Sequence, residues 1–317
     1  MVPENQTQFT AFILLLFSEK PNQEAPLFGL FLSMYLITMI RNLLIMLAIS
    51  SDSHLHTPMY FLISNLSFVD TCLVTSTVPR MLVSFRTQNK AIPYADCLTQ
   101  IFFFTLFAGL DHFLLSGMAF DHFVAICHPL HYAVMMSSWF CGLLVILSWT
   151  IAFLVAILFS LLVTLLSFCT NQQIQHFFCD LPEIMKISCS DTLINYILMY
   201  LVSVLLGVNP VMGIVYYYIQ ICFSIIKIPS AQGKYKAFFT CGSRLCVVSL
   251  FYRTVLGVYL TSAFTNSSLK STVVSAIYAM ITPMLIPFIY TLRNKDIKGG
   301  LWRIISRKIS QLCGDSF

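Results

Sequence analysis

Apolar segments of about 20 residues recur along the whole chain, and they constrain its fold more than any other feature. Each segment is long enough to cross a hydrocarbon core of about 30 Å as a helix. Only 10% of the 317 residues are charged, whereas 58% are hydrophobic, and the mean hydropathy is +0.82. Because water-soluble domains carry about a quarter charged residues, the sequence predicts an all-α membrane protein.

The apolar segments predict seven membrane spans in one helical bundle. The spans cover residues 26–50, 58–82, 94–126, 140–166, 193–226, 236–262 and 272–292. Residues 1–25 then form an N-terminus outside the membrane, 26–292 the seven-transmembrane domain, and 293–317 a tail. The apolar run at 12–17 lacks a basic flank and a small-residue cleavage site, so we expect no cleaved signal peptide.

The distribution of lysine and arginine predicts the orientation of the bundle. With the N-terminus outside, the inner connections and the tail carry nine basic residues, against six on the outer side. Since inner loops are enriched in lysine and arginine, we expect an extracellular N-terminus, a cytoplasmic tail and a glycosylation acceptor at Asn5. The net charge of +5 follows this topology and forms no basic patch with aromatic residues, which argues against nucleic-acid binding.

The predicted tail alternates isoleucine and leucine with basic residues over 294–310. Such a pattern is typical of a short amphipathic helix that lies on an anionic membrane surface. A frayed basic tail is the alternative interpretation of the same residues.

Four of the eleven cysteines fall on the predicted outer side: Cys97, Cys169, Cys179 and Cys189. An oxidising exterior favours disulfides among them, and four cysteines allow three connectivities. His176 lies near Cys179, but the cysteine and histidine spacing of this loop matches no standard zinc module. The sequence therefore predicts disulfides here, and it predicts that the cysteines within spans pack as small apolar groups.

Five short strings, in order along nearly the whole chain, resemble those of the olfactory (odorant) receptor family of rhodopsin-like G-protein-coupled receptors. They are LHTPMYF at 55–61, MAFDHFVAIC at 118–127, KAFFTC at 236–241, PMLIPFIY at 283–290 and LRNK at 292–295. The resemblance implies a plasma-membrane receptor that binds a small, mainly apolar volatile ligand and activates a stimulatory heterotrimeric G protein, which signals through cAMP. It also implies the disulfides Cys97–Cys179 and Cys169–Cys189.

The same resemblance places the ligand between spans three, five and six. The residues it assigns to the pocket are Phe104, Thr105, Ala108, Gly109, Val202, Ser203, Leu206, Tyr252, Val255, Leu256 and Tyr259. Ordinary helix packing explains any one of these residues equally well. Taken together, they suit an apolar ligand that a few hydroxyl groups orient.

Two carboxyl groups lie within the predicted spans, Asp70 in span two and Asp111 in span three. Ionisable groups in spans are costly, so they point to a function. The resemblance implies a sodium ion near both carboxylates, which is sound chemistry for a hard cation. A proton-sharing pair inside the bundle is the alternative, and the sequence leaves both open.

The resemblance assigns the G-protein switch to Asp121, His122, Tyr218, Pro287 and Tyr290. The chain departs from the family pattern at His122 and at Ile286 beside Pro287, because the family has Asp-Arg-Tyr where this chain has Asp121-His122-Phe123, and Asn-Pro where it has Ile286-Pro287. An imidazole then replaces a permanently charged guanidinium at the switch.

Three arginines within spans, Arg41, Arg244 and Arg253, are further departures. An arginine cannot lose its charge, so each needs a carboxylate, carbonyl groups or water. Arg253 would lie directly below the ligand pocket, where it either binds an acidic ligand or disturbs the fold.

Two other functional hypotheses remain beside the receptor. The five departures allow a receptor fold whose coupling is impaired or lost. A transporter is the third class, and the absence of an inverted repeat speaks against it. No set of residues indicates a nucleophile with its base, so the sequence does not predict an enzyme or a cofactor.

Overall fold

The computed structural model describes residues 11–14, 21–87, 89–168, 173–174 and 176–235. It also describes residues 241–242, 245, 249, 252, 280, 283–285, 297, 299–300 and 302–303. Most of predicted spans six and seven lies outside them, as do Asn5, Cys169 and Arg253.

In the described part of the chain, five long helical segments are apolar enough to span a membrane, and they confirm the first five predicted spans. Their elements are α1 (Pro21–Ser51), α2 (Pro58–Thr87), α3 (Tyr94–Cys127), α5 (Ser138–Thr164) and the segment Leu193–Ile226. A short helix α4 (Tyr132–Met135) precedes α5, and α6 (Leu181–Lys186) lies in the loop after it. Helix α1 begins five residues before the predicted span, and α5 begins and ends two residues earlier than predicted.

The fifth span is interrupted by a π-helical turn. Helix α7 (Leu193–Ser203) leads into π-helical residues Val204–Val208, and α8 (Asn209–Ile226) follows. Pro210 has no N–H to donate to the carbonyl of Leu206 four residues earlier, so the regular hydrogen-bond pattern cannot continue here. The side-chain amide of Asn209 donates to the Leu205 carbonyl at 2.7 Å.

Helix α3 is the central element of the described bundle. It packs against α2, α5 and α8, while α1 packs against α2. Leu110, Leu114 and Val124 of α3 are fully or almost fully buried. On the outer helices, leucine and isoleucine side chains such as Ile40 and Ile146 are more than half exposed, as expected for surfaces that face lipid instead of water.

One end of the bundle carries a small three-stranded sheet, and we call it the sheet end. Strand β1 (Ala11–Leu14) lies in the centre, antiparallel to β2 (Ala91–Pro93) and parallel to β3 (Gln173–Ile174). The β1 side chains alternate, so that Phe12 is buried and Ile13 is exposed. Phe12 packs edge-on against Phe168 with ring centroids 5.2 Å apart. The sheet thus joins the N-terminal segment to the loops before α3 and after α5.

At the opposite end, the few described residues of the tail support the predicted amphipathic helix. Ile297, Gly299, Gly300, Trp302 and Arg303 are helical. The Arg303 guanidinium forms an ion pair with Asp52 at 2.7 Å, and Trp302 is 70% exposed while Ile297 is fully buried. The tail therefore docks on the connection between α1 and α2.

Candidate functional site

A disulfide fixes the loop that covers the sheet end. Cys97 in the first turn of α3 is bonded to Cys179, with their Cα atoms 5.5 Å apart, which confirms this pairing. Cys189 is also disulfide-bonded. Its predicted partner Cys169 lies outside the described residues, so the pairing Cys169–Cys189 stays a prediction.

Gln100, one turn after Cys97 on α3, holds the same loop through hydrogen bonds. Its side-chain oxygen accepts from the Cys179 backbone N–H at 2.9 Å, and its side-chain nitrogen donates to the Ser76 carbonyl of α2 at 3.0 Å. Sequence reasoning missed Gln100. The only signal was a neutral polar residue one helical turn from a cysteine with a predicted disulfide.

The loop places three aromatic rings over the end of α3. His176 and Phe177 are stacked with their centroids 4.8 Å apart, and His176 meets Phe178 edge-on at 4.6 Å. Phe178 in turn packs on Phe104 of α3 at 4.8 Å. Since the Cys179 sulfur is bonded to Cys97, it is not a thiolate ligand, and the described part of the chain holds no group of three residues suited to a metal ion.

The predicted pocket residues on α3 and the fifth span are partly exposed, and one of them packs against a neighbouring helix. Phe104, Thr105, Ala108, Gly109, Val202, Ser203 and Leu206 are all half-buried. A Cβ atom at Gly109 would lie 3.5 Å from the Ala152 Cβ, so Gly109 faces α5. Leu206 belongs to the π-helical turn.

Span six contributes one described residue to the predicted pocket. Tyr252 is buried, and its ring lies 5.7 Å from the ring of His112 on α3. Val255, Leu256 and Tyr259 lie outside the described residues. The structure thus brings Tyr252 to α3, two turns further along that helix than Phe104.

The two buried carboxyl groups, Asp70 and Asp111, interact electrostatically across α2 and α3. Both side chains are almost completely buried. Among the described residues, no hydrogen-bond partner reaches either Asp70 oxygen, Oδ1 of Asp111 or the buried side-chain oxygen of Asn42 on α1. Buried acceptors of this kind fit a hard cation or a shared proton.

The switch residues on α3, Asp121 and His122, contact residues that the family pattern did not indicate. The Tyr132 hydroxyl of α4 donates to Asp121 at 2.8 Å. The His122 imidazole lies 3.8 Å from the Cys241 sulfur. Tyr218 of α8 is buried in the main apolar cluster, and Pro287 and Tyr290 lie outside the described residues.

Of the departures in the spans, Arg41 is half-buried on α1, next to the fully buried Asn42. Arg244, Arg253 and Ile286 lie outside the described residues.

The comparisons with known proteins decide the family. A family model described as olfactory receptor matches residues 31–308. The chain belongs to the olfactory receptor family. Among curated olfactory receptors it is 57% identical to Olfactory receptor 7D4 of Homo sapiens over 97% of this chain and 98% of that protein. It is 55% identical to Olfactory receptor-like protein OLF4 of Canis lupus familiaris, over 94% of this chain and 96% of that protein. With Olfactory receptor 7A40 of Mus musculus the identity is 53%, over 96% of this chain and 99% of that protein.

Members of the olfactory receptor family are seven-helix bundles in a membrane, so the family adds two spans to the five that the structure describes. It gives odorant reception as the coarse function, with an odorant ligand and a G protein as partners, and it is not the family of an enzyme.

The loop of this olfactory receptor carries two titratable groups with opposite pH dependence. Burial, with a smaller contribution from Lys186, lowers the pKa of His176 to about 3. Burial and the nearby Glu183 carboxylate raise the pKa of Asp180 to about 7. Folded His176 is neutral where the unfolded imidazole is charged, so it destabilises the folded loop as the pH falls below about 6.5. Folded Asp180 is protonated where the unfolded carboxyl is ionised, so it destabilises the folded loop as the pH rises above about 4.

We therefore expect the stability of the loop in the Asp180→Asn variant to change with pH through His176 alone. Its thermal midpoint, followed by thiol-reactive fluorescence of buried cysteines, should rise more steeply between pH 4 and pH 6.5 than that of the unsubstituted receptor. The His176→Phe variant should show the reverse, a midpoint that falls across the same window. Identical pH profiles for the three proteins would contradict these assignments.

Proposed function

We propose that this olfactory receptor binds a small, mainly apolar volatile ligand between α3, the fifth span and the sixth span, and that it activates a stimulatory G protein. The N-terminus is extracellular in this proposal, and the protein acts at the plasma membrane. The observation that carries the ligand site is the pair of aromatic contacts on α3 at Phe104 and His112.

The contact between Phe104 and Phe178 supports closure of the ligand site at the sheet end. The disulfide and Gln100 hold Phe178 in place. A fixed, buried aromatic ring is a suitable roof for an apolar ligand, because it contributes contact area without losing conformational freedom on binding.

The contact between His112 and Tyr252 supports a floor for the same site. Phe104 and His112 are eight residues apart, which is about 12 Å along a helix. Thr105 lies within the interval, and its hydroxyl makes no hydrogen bond among the described residues, so it can orient an oxygen atom of the ligand.

Neighbouring phenylalanines on α3 provide a matched test of the ligand site. Phe104 faces Phe178, whereas Phe103 is 41% exposed on the lipid side. After a screen of volatile compounds for cAMP activation, we expect Phe104→Ala to raise the half-maximal concentration of the best agonist by about tenfold or more. Phe103→Ala should leave it within about twofold. Equal effects of the two variants, at equal surface expression, would contradict the proposed site.

Impaired coupling is the second candidate function, and the environment of the switch favours it over a transporter. The imidazole of His122 is directed at Cys241, and Asp121 accepts a hydrogen bond from Tyr132. Neither contact supplies the permanent positive charge that the resemblance implies at position 122. A receptor with this switch binds its ligand and signals weakly or not at all.

The double variant His122→Arg with Ile286→Asn separates these two functions. If coupling is impaired, the variant should give a dose-dependent cAMP response in cells with an olfactory-type G protein, while the unsubstituted chain stays silent at equal surface expression. A response of the unsubstituted chain would instead establish a signalling receptor with an unusual switch. Silence of both proteins toward a ligand shown to bind would exclude these two positions as the cause.

We also propose that Asp70 and Asp111 hold one sodium ion, since both Asp70 oxygens and Oδ1 of Asp111 are buried and have no donor among the described residues. The thermal midpoint of the purified receptor should then be about 3 °C higher in sodium chloride than in N-methylglucamine chloride. Asp70→Asn should abolish this difference, and Asp96→Asn, a change of an exposed carboxyl group, should preserve it. Equal midpoints of the unsubstituted receptor in both salts would favour a shared proton.

A further inference from the structure

A cavity of about 270 Å³ lies between α2, α3, α5 and α8, and none of the residues assigned to the proposed ligand site lines it. Its α3 wall runs from Phe113 to Phe120, so it begins where the proposed site ends and extends away from the sheet end. His112 faces Tyr252 of span six, whereas Phe113 and Ser116 face this cavity. We call it the lateral groove.

The lateral groove opens toward the lipid. Leu144 of α5 and Tyr217 of α8 line it, and their neighbours Leu143, Leu147 and Tyr216 are 41%, 49% and 55% exposed. On membrane-spanning helices these exposed side chains face hydrocarbon. A ligand therefore reaches the groove from the bilayer, so it must be a molecule that dissolves in the membrane.

Two hydroxyl groups in the otherwise mainly apolar groove find no hydrogen-bond partner within the described part of the chain. The Ser148 hydroxyl donates to the Leu144 carbonyl at 2.7 Å within its own helix. The hydroxyls of Ser116 and Tyr217 make no hydrogen bond among the described residues. In a medium without water, a ligand oxygen is the partner that satisfies them.

The volume restricts the size of the occupant. Pockets for drug-sized ligands are about 300–1,000 Å³, so a groove of about 270 Å³ is too small to enclose a sterol. We propose that the lateral groove binds a small apolar molecule with one hydroxyl or carbonyl group, which enters from the bilayer and whose oxygen bonds to Ser116 or Tyr217. This site is separate from the proposed odorant site, and its occupation does not depend on signalling.

The position of the groove connects its occupant to the switch. Phe120 and Tyr217 form its end, with ring centroids 5.5 Å apart. Tyr217 also stacks on Phe123 at 5.2 Å, two residues after Asp121. A bound molecule therefore contacts the aromatic cluster that joins α3 to α8 beside the switch residues.

The test uses the full chain in phosphatidylcholine nanodiscs, without G protein, and a photoreactive diazirine derivative of decanol as the probe. Labelled peptides are located by mass spectrometry. We expect saturable labelling of α3 and α5 residues at the groove, displaced by unlabelled decanol and more weakly by decane. Labelling that does not saturate and is spread over all lipid-facing helices would overturn the proposal. Displacement by cholesterol at a lower mole fraction than decanol would assign the groove to a sterol and also overturn it.

Two pairs of variants locate the binding. A Cβ at Gly117 would meet only Leu62 side-chain atoms at 3.9 Å, so Gly117→Leu places its side chain in the groove. Gly142 on α5 has nothing within 4 Å, so Gly142→Leu is the matched control. Gly117→Leu should reduce saturable labelling about tenfold, and Gly142→Leu should leave it within about twofold.

Ser116→Ala removes one hydroxyl and keeps the shape of the groove. This variant tests the site even if the larger substitution Gly117→Leu prevents folding. It should weaken displacement by decanol about fivefold and leave displacement by decane unchanged. Ser148→Ala is its control, because that hydroxyl is already bonded within its helix. Unchanged decanol binding in both Ser116→Ala and Gly117→Leu would overturn the proposal.

Discussion

The disulfide between Cys97 and Cys179 is the constraint on which the sheet end depends. It fixes a long loop to the first turn of α3, and Gln100 adds the hydrogen bonds that set the path of the loop. With the loop held there, His176 and Phe178 are buried, and Phe178 lies on Phe104. A cross-link of this kind also removes conformations of the unfolded loop, so less entropy is lost when the loop packs.

The membrane imposes the second constraint, which is that polar groups must find partners within the chain. Many serine and threonine hydroxyls in the spans do so locally; Thr71, for example, donates to the Ser67 carbonyl at 2.8 Å. The exceptions are therefore informative. Within the part of the chain that the structure describes, Asp70 and Asp111 keep buried acceptors without donors, and the Ser116 hydroxyl has no hydrogen-bond partner. Both sets lie on α2 or α3, the most enclosed helices, where retaining an unsatisfied group is expensive.

Residue patterns predicted the membrane spans, which depend on the length and composition of a segment. They missed the strands, which depend on pairing between segments far apart in the chain. Five spans follow from apolar runs, and α2 starts at Pro58 as predicted. Strand β1 was missed because four residues carry too little periodicity, and its partners β2 and β3 are distant in sequence. The π-helical turn before Pro210 had a visible signal, a proline inside a span, but its effect depends on which carbonyl loses its donor.

The candidate site shows the same division. The resemblance named Phe104 and Tyr252, but not that Phe178 and His112 would be their partners, because these contacts join segments far apart in the chain. It named Asp121 without Tyr132, whose hydroxyl reaches it from the short helix after α3. Motifs identify positions, whereas contact partners follow from the three-dimensional packing.

Helix α3 places all of these features on one rigid element. Phe104 contacts the loop, Asp111 faces Asp70, Gly117 borders the lateral groove, and Asp121 meets Tyr132. Successive residues on a helix turn by about 100°, so one helix presents these groups to different neighbours at successive depths. A small rotation or shift of α3 therefore changes all four environments together. A ligand that binds one position of α3 more tightly than another favours that position, whatever the depth at which the ligand binds.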